Sequence, residues 1–524
     1  MPAATAARSR RLGLLLAMAM FVLVVDTSLM NVSISSVVHD LDTTVSGVQS
    51  AIALEALVSA AFILLSSKIG DLIGRKRAYV LGLCGYALGA LAMTLAQSLA
   101  VIIVFWSICG GLGASLLLPA MQSLIHGNFE GEARKKTYAL VGASAAIAAA
   151  VGPLLGGFVT TYLSWRVGFL LEVVIIAIVL SNIGLVRDVP YTGSRDLDVF
   201  GALLSVLGMG GVVLGILVWQ EGGEYVGAII AAGLAGLAGF AYWLRRRSRA
   251  GRATVLDPGL FRFPQFRLGV TQQMLQQISL GGAMIALPIF LQISLEYNAM
   301  EAGLSLAPLS LTMFAVALAA GRRTAKRRAG RIVAAGFALV AVGMALIVVI
   351  VPRADSGWAM AIPLVIAGSG LGLLVSQLNN YTLAPIAEER SSEAAGVNSA
   401  AGSFGLSFGL AVAGGILLAT LSVSFTHMTE SSKVIPPAGQ QKIADKLEHD
   451  AQVVSATQLQ ELLDRQPPRV RDEIVRINDD ATHRSLQVAL LVPILASLLG
   501  LFNAFRMLKL PDRPASPSGE SVLV

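Results

Sequence analysis

The sequence predicts an all-α polytopic membrane protein, and three observations carry that reading. Of 524 residues, 55% are hydrophobic and only 14% are charged, and the mean hydropathy is +0.72. A soluble domain needs far less apolar sequence. The apolar residues fall into runs of about 20, the length a helix needs to cross a bilayer. Lys and Arg cluster between alternate runs, as the positive-inside rule requires of cytoplasmic loops. The net charge of +7 is therefore read as loop charge rather than as affinity for nucleic acid.

In chain order, Arg8, Arg10 and Arg11 precede the first span, Leu12 to Ile34. It is read as uncleaved, because the apolar run continues past Ala17-Met18-Ala19. Further spans are expected at 46–66, 78–97, 100–121, 137–161, 167–186, 199–218, 225–243, 268–291, 303–320, 331–351, 358–380, 395–422 and 485–507. Fourteen crossings put both termini on one side, the cytoplasmic side of a plasma (inner) membrane. The clusters Arg75-Lys76-Arg77, Arg245-Arg246-Arg247 and Lys326-Arg327-Arg328 then all land inside. Of the 39 Lys and Arg, only Arg166 and Arg353 fall in short outer loops, and none lies mid-span. Trp165, Trp219, Trp243 and Trp358 sit at span ends, as interfacial anchors should. Cys84 and Cys109 both lie inside apolar spans and imply no disulfide framework.

The one long outer loop is 423–484. Residues 438–450 and 456–465 read as short helices, with apolar sides formed by Ile443 and Leu447, then Leu459, Leu462 and Leu463. Pro467-Pro468 ends the pattern. A solvated cap, a lid over the outer mouth and a docking site for an external partner all fit this loop. The tail from Pro511 to Val524 reads as disordered.

Three features carry chemistry. In residues 142–157, Ser144, Ala148, Gly152 and Gly156 recur every four residues, so one helical face is small throughout and another helix can come close. Pro153 cannot donate to the carbonyl of Ala149, which predicts a kink. Between spans 2 and 3 stands Ser67-Lys-Ile-Gly-Asp71-Leu-Ile-Gly74-Arg75-Lys-Arg77. Gly74 permits a tight turn there, and Asp71 can pair with Arg75 or with a helix N-terminus. Finally, of the 32 acids only Asp26, Glu55 and Glu172 fall within spans. A carboxylate in hydrocarbon is costly, so such residues usually face a cavity or a partner and serve function. The second half offers amides instead, with Gln272, Gln273, Gln276 and Gln277 in span 9 and Gln377, Asn379 and Asn380 in span 12. With Asn31 of span 1, Gln272, Gln276, Gln377, Asn379 and Asn380 are candidates for a wet cavity lining, the alternative being polar glue between helices. No histidine is mid-span. There is no Walker motif and no zinc-type Cys/His spacing, so no metal, cofactor or enzymatic chemistry is expected.

These motifs resemble those of the major facilitator superfamily, in its fourteen-span drug:proton antiporter branch. Gly142 followed by Gly152-Pro153-x-x-Gly156-Gly157 resembles the antiporter motif of the fifth span, with Ala148 in place of a further Gly. That motif is specific to exporters. The 67–77 loop resembles the superfamily's loop motif, with Ser67 in place of its first Gly, which implies a cytoplasmic gate at Asp71, Gly74, Arg75 and Arg77. Val25-Asp26-Thr27-Ser28-Leu29-Met30-Asn31-Val32 and Gly111-Leu-Gly113-Ala-Ser115 resemble the family's span 1 and span 4 motifs. Three departures stand out. Ser107 occupies the place of the usual span 4 Arg, Glu172 that of an Asn, and Glu55 that of a Tyr.

The resemblance implies a major facilitator fold of two six-helix bundles plus two inserted helices. The N-terminal bundle would be 1–187, the inserted pair and basic linker 188–266, the C-terminal bundle 267–507 and the tail 508–524. No span-sized repeat is visible in the sequence itself. The expected function is proton-coupled export of amphipathic, cationic drugs, with Asp26, Glu55 and Glu172 coupling proton to cation and the proton gradient as the only drive. The alternatives are a dedicated exporter of a lipid, peptide or secondary metabolite, and a non-transporting sensor or scaffold that uses loop 423–484.

Overall fold

The computed structural model describes residues 3–188, 198–220, 223–323, 328–354, 356–386, 390–432, 434 and 467–510. Among them there is no strand. The long helices are α1 Ala3–Val32, α2 Val45–Ile73, α3 Arg75–Leu95, α4 Leu99–Asn128, α5 Gly131–Tyr162, α6 Trp165–Ser181 and α7 Val199–Gln220. They continue with α8 Val226–Arg249, α9 Pro264–Ser294, α10 Ala299–Arg323, α11 Ala329–Ile350, α12 Ala361–Leu383, α13 Ser391–Glu430 and α14 Pro468–Leu508. Among the described residues thirteen helices are long and apolar enough to cross a membrane. The remaining one, α6, has 17 residues, about 25 Å at 1.5 Å per residue, and ends in a 3₁₀ turn, Ile183–Leu185, inside its expected span.

The packing contains a repeat that the sequence does not display. α1 packs on α5 and α6, α2 on α4, and α3 on α4 and α6. Eight helices later, α9 packs on α13 and α14, α10 on α12, and α11 on α12 and α14. Two pairs join the sixes, α2 with α13 and α5 with α10, and the same shift of eight exchanges one pair for the other. α7 leans on α8, α2 and α13 from outside. α8 buries little beyond Gly233 and Leu244. The exposed Leu and Phe side chains of α3, α8 and α14 suit a hydrocarbon solvent, which carries no penalty for apolar surface.

The small face of α5 serves two neighbours. A Cβ on Gly152 would collide with Ser28 of α1, and one on Gly156 would lie 2.9 Å from the Leu29 Cα. Gly157 instead meets α10, 2.9 Å from the Met300 Cα, and Gly303 of α10 sits against the Pro153 carbonyl. Thr161 Oγ1 accepts from Met300 N at 3.0 Å, and Ser33 and Thr160 hydroxyls pair at 2.7 Å. So the half of α5 after Pro153 binds α1 within its own six and α10 across the seam. Gly142 behaves differently, since nothing lies within 4 Å of where its Cβ would be.

The segment 423–484, expected as an outer loop with two short helices, is helical at both of its described ends. α13 has 40 residues and α14 spans 41, about 60 Å each, twice the thickness of a bilayer core. Their adjoining ends therefore stand out of the membrane as a hairpin. Pro468 does not end a helix but opens one at its first turn, where a missing N–H costs nothing. Ile474, Ile477 and Ala481 pack inward from that segment, and Ser432 Oγ donates to Glu473 at 2.9 Å. The helices expected at 438–450 and 456–465, the Lys326-Arg327 pair and the tail from Pro511 lie outside the described residues.

The close approach of α5 to α1 generates a test. Gly152→Leu should insert normally yet lose transport, because overpacking of about 1–3 kcal/mol is forced between α1 and α5. Efflux at equal membrane abundance checks this, and normal efflux would count decisively against the packing argument.

Candidate functional site

Helix α1 has two working faces. On one, Leu23, Val24, Thr27, Ser28, Asn31 and Val32 line a cavity of about 240 Å³. Its other walls are Ala149 and Pro153 of α5, Gln277 to Pro288 of α9, Leu306 to Met313 of α10 and Leu406 of α13. The cavity thus sits between the two sixes, against the Pro153 position. Its lining holds no Asp, Glu, Lys or Arg; the polar groups are Thr27, Ser28, Asn31, Gln277 and Ser310.

On the opposite face of α1, Asp26 is buried, 1% exposed. Tyr86 of α3 donates its hydroxyl to Asp26 Oδ2, and Trp106 of α4 donates Nε1–H to both carboxylate oxygens at 3.1 and 3.0 Å. Trp106 reaches Asp26 from a π-helical stretch, Ile102–Gly110, near the start of α4. Such wider turns shift the side-chain register and are frequent at functional sites. Ser107, the residue in place of the family's Arg, turns to α2 and donates to Ala51 O at 2.7 Å. Asp26 is held by two neutral donors, Tyr86 and Trp106.

The three intramembrane acids gather at one place. Glu55 and Glu172 lie within electrostatic reach of Asp26, and all three lie within reach of Tyr86. Glu172 of α6 is 2% exposed and neither of its carboxyl oxygens has a hydrogen-bond partner among the described residues. Glu55 of α2 is half-buried, and Gly111 of α4 packs on its backbone carbonyl. None of the three lines the cavity. Tyr86 and Trp106 went unnoticed in the sequence, because a Tyr and a Trp in apolar runs look like ordinary core.

The expected polar lining divides. Asn31 lines the cavity, and so does Gln277. Gln272 faces away and donates to Gly500 O of α14 at 2.9 Å, while Gln276 is buried outside the lining. Asn379 Oδ1 accepts from Asn398 of α13 at 2.7 Å, Gln377 reaches Ser376 at 3.3 Å, and Asn380 is exposed. Gln272 and Asn379 therefore act as glue between helices.

At the α2–α3 turn, Asp71 and Arg75 form an ion pair, and Arg75 also donates to Ser67 O at 3.3 Å. Gly74 has φ +99°, which an L side chain rarely adopts, and a Cβ there would lie 2.7 Å from Asp188 Oδ2. Asp188 accepts from Lys76 N at 2.9 Å and so caps α3, a role the sequence did not reveal. Glu393, in the first turn of α13, acts on Asp71 across the seam. Arg77 is exposed.

The model of the Major Facilitator Superfamily matches residues 16–410. The chain belongs to this superfamily. Its relatives include the probable actinorhodin transporter of Streptomyces coelicolor, 25% identical over 76% of this chain and 71% of that one. The multidrug resistance protein Stp of Mycobacterium tuberculosis is 27% identical over 77% and 75%. The cephamycin export protein CmcT of Amycolatopsis lactamdurans is 29% identical over 75% and 82%. Among solved structures, a bacterial homologue of the human lysosomal transporter Spinster, inward-facing and unoccupied, superposes with a TM-score of 0.59 at 11% identity, covering 96% of this chain and 98% of that one. A structure from work on proton-dependent oligopeptide transporters gives 0.57 at 18% identity, covering 96% and 100%. The superfamily is one of transporters, not enzymes, and the curated relatives place this member beside its multidrug and antibiotic exporters.

Two outcomes test the site. Tyr86→Phe should cost about 1–3 kcal/mol of stability, the loss for a buried acceptor deprived of a donor, read by thermal unfolding with and without the Asp26→Asn background. Asp71→Asn should trap or leak the transporter by removing the partner of Arg75. Single-cysteine labelling beside the α2–α3 turn reports the change, and unchanged labelling with unchanged transport would reduce Asp71 to an ordinary loop residue.

Proposed function

We propose that this superfamily member is a proton-coupled exporter of amphipathic small molecules across the plasma (inner) membrane, with both termini cytoplasmic. The single observation behind this reading is the two-faced α1, which lines an apolar cavity on one side and on the other carries Asp26, bonded to Tyr86 and Trp106. A change in the proton on Asp26 alters what Tyr86 and Trp106 hold. α1 is in turn gripped by Gly152 and Gly156 of α5, and α5 meets α10 of the other six through Gly157 and Gly303. Proton and substrate are then coupled through a rigid helix rather than by competition for one carboxylate, and the two sixes rock about the central cavity.

The direction of transport rests on the antiporter motif of α5 and on relatives described as exporters of cephamycin or as multidrug resistance proteins. The proton gradient alone supplies the drive, with no cofactor, and the bilayer is the working partner.

The test uses inside-out vesicles with an imposed pH gradient. An ethidium-like cation, a neutral lipid and a peptide are compared for uptake that collapses with an uncoupler. Asp26→Asn should abolish pH-driven uptake. Glu55→Gln should also abolish it while retaining substrate binding that no longer varies with pH. If both variants pump at the wild-type rate, coupling lies elsewhere, with Glu172 next.

A further inference from the structure

Helix α8 has two unlike faces. Its inner face is packed: Leu244 is buried, and a Cβ on Gly211 of α7 would lie 2.7 Å from the Gly233 Cα. At the end of that face Trp243 donates Nε1–H to Asp198 Oδ1 at 2.8 Å, and Arg247 pairs with the same oxygen at 3.8 Å. These contacts fix the rotation of the helix. Its outer face is exposed along its length, from Ala228, Ala231, Ala235 and Ala238 to Tyr242, Arg245, Arg246 and Arg249. Steps of three and four residues keep all of these in one stripe. Of the run 245–247, then, one arginine is used inside and two are exposed, with Arg249 beside them on the next turn. No Asp or Glu lies in α8, and among the described residues no ion pair involves Arg245, Arg246 or Arg249.

The stripe has the length and the chemistry of one lipid. Ala228 to Tyr242 rises about 21 Å, more than the roughly 15 Å of one leaflet's hydrocarbon. The alanines leave a smooth track on which an acyl chain can lie close to the helix backbone. Tyr242, 66% exposed, marks the boundary where an amphipathic ring belongs. Beyond it the three guanidinium groups stand at headgroup depth. A guanidinium suits phosphate because its fork of N–H groups engages two oxygens at once. The end of α8 is the negative end of the helix dipole and attracts no anion itself. Its carbonyls at Arg246, Arg247 and Ser248 are taken by the N–H groups of Ala250 and Gly251, so the arginines set the sign of the site. We propose that the outer face of α8 binds one anionic phospholipid, its phosphate on Arg245, Arg246 and Arg249 and an acyl chain along the alanines. The orientation proposed above makes this the cytoplasmic leaflet; the site itself does not rest on the exporter reading. Asp198 also accepts from Val255 N at 3.4 Å, so the lipid sits on the helix end that anchors the linker to α9.

The experiment titrates the full-length protein in mild detergent and counts bound lipid by native mass spectrometry. The probes are dioleoylphosphatidylglycerol and dioleoylphosphatidylcholine, which share acyl chains and phosphate; the second adds a choline cation that arginines repel. The wild type should bind the glycerol lipid about tenfold tighter or more, given the attraction of each arginine for an anionic headgroup. Replacing Arg245, Arg246 and Arg249 together by Gln should bring the ratio of the two affinities to about one. Removing the same charge at Arg10, Arg11 and Arg331, also exposed, should leave the ratio as in the wild type. A large excess of inorganic phosphate at constant ionic strength should leave most of the lipid bound, because the ion lacks the acyl contacts. Should the triple variant not be recovered folded, Arg246→Gln alone should cost about fivefold. Equal binding of the two lipids by the wild type, a ratio that survives loss of the α8 arginines, or an equal fall in the control variant would each overturn the proposal. Full displacement by phosphate would do the same, since it would mark a free-anion site.

Discussion

The whole arrangement depends on how closely α5 can approach its neighbours. Hydrocarbon offers helices no hydrophobic reason to associate, so packing contacts and hydrogen bonds must hold them. Gly152 and Gly156 let α1 lie almost backbone to backbone on α5, and Gly157 with Gly303 does the same for α10. Large side chains at these positions would separate the elements by several ångströms and remove the dispersion contacts that join them. Pro153 adds a second consequence. Its carbonyl meets Gly303 while its ring borders the cavity, so the residue that interrupts the α5 hydrogen-bond ladder also stands where the two sixes touch.

This geometry leaves the three acids outside the cavity lining. Asp26 and Thr27 are consecutive, about 100° apart around α1, so one faces α3 and α4 and the other lines the cavity. The π-helical stretch of α4 contains both Trp106 and Ser107. It carries Trp106 to Asp26 and leaves Ser107 to tie α4 to α2. Neutral donors satisfy the carboxyl oxygens without bringing a second charge into the membrane interior, where each charge is expensive to bury. Glu172 has no hydrogen-bond donor among the described residues.

Much was legible in the linear sequence because the bilayer imposes a simple rule. A crossing helix needs about 20 apolar residues and cannot carry free charge, so span positions, the basic loops and the three exceptional acids could all be read directly. The small face of α5 and the Gly74 turn were legible for similar reasons, since each is a local property of spacing or of backbone conformation.

Only the tertiary structure decided which side chains meet. The repeat of packing with a shift of eight helices leaves no trace in residue identity, because lipid-facing and helix-facing positions are both apolar. Gln272 and Asn31 are both amides in a span, yet one bonds to α14 and the other lines the cavity, a difference of helix rotation that spacing does not encode. The outer hairpin escaped notice because Pro468 reads as a breaker until its place at the first turn of a helix is known. Tyr86 and Trp106 became functional candidates only when α3 and α4 were seen to deliver their single polar atoms to Asp26. The sequence by itself determined that this chain crosses a membrane many times and where its charges lie. The fold decided that the acids stand behind α1 and not in the cavity, because which face of a helix looks inward is set by its neighbours.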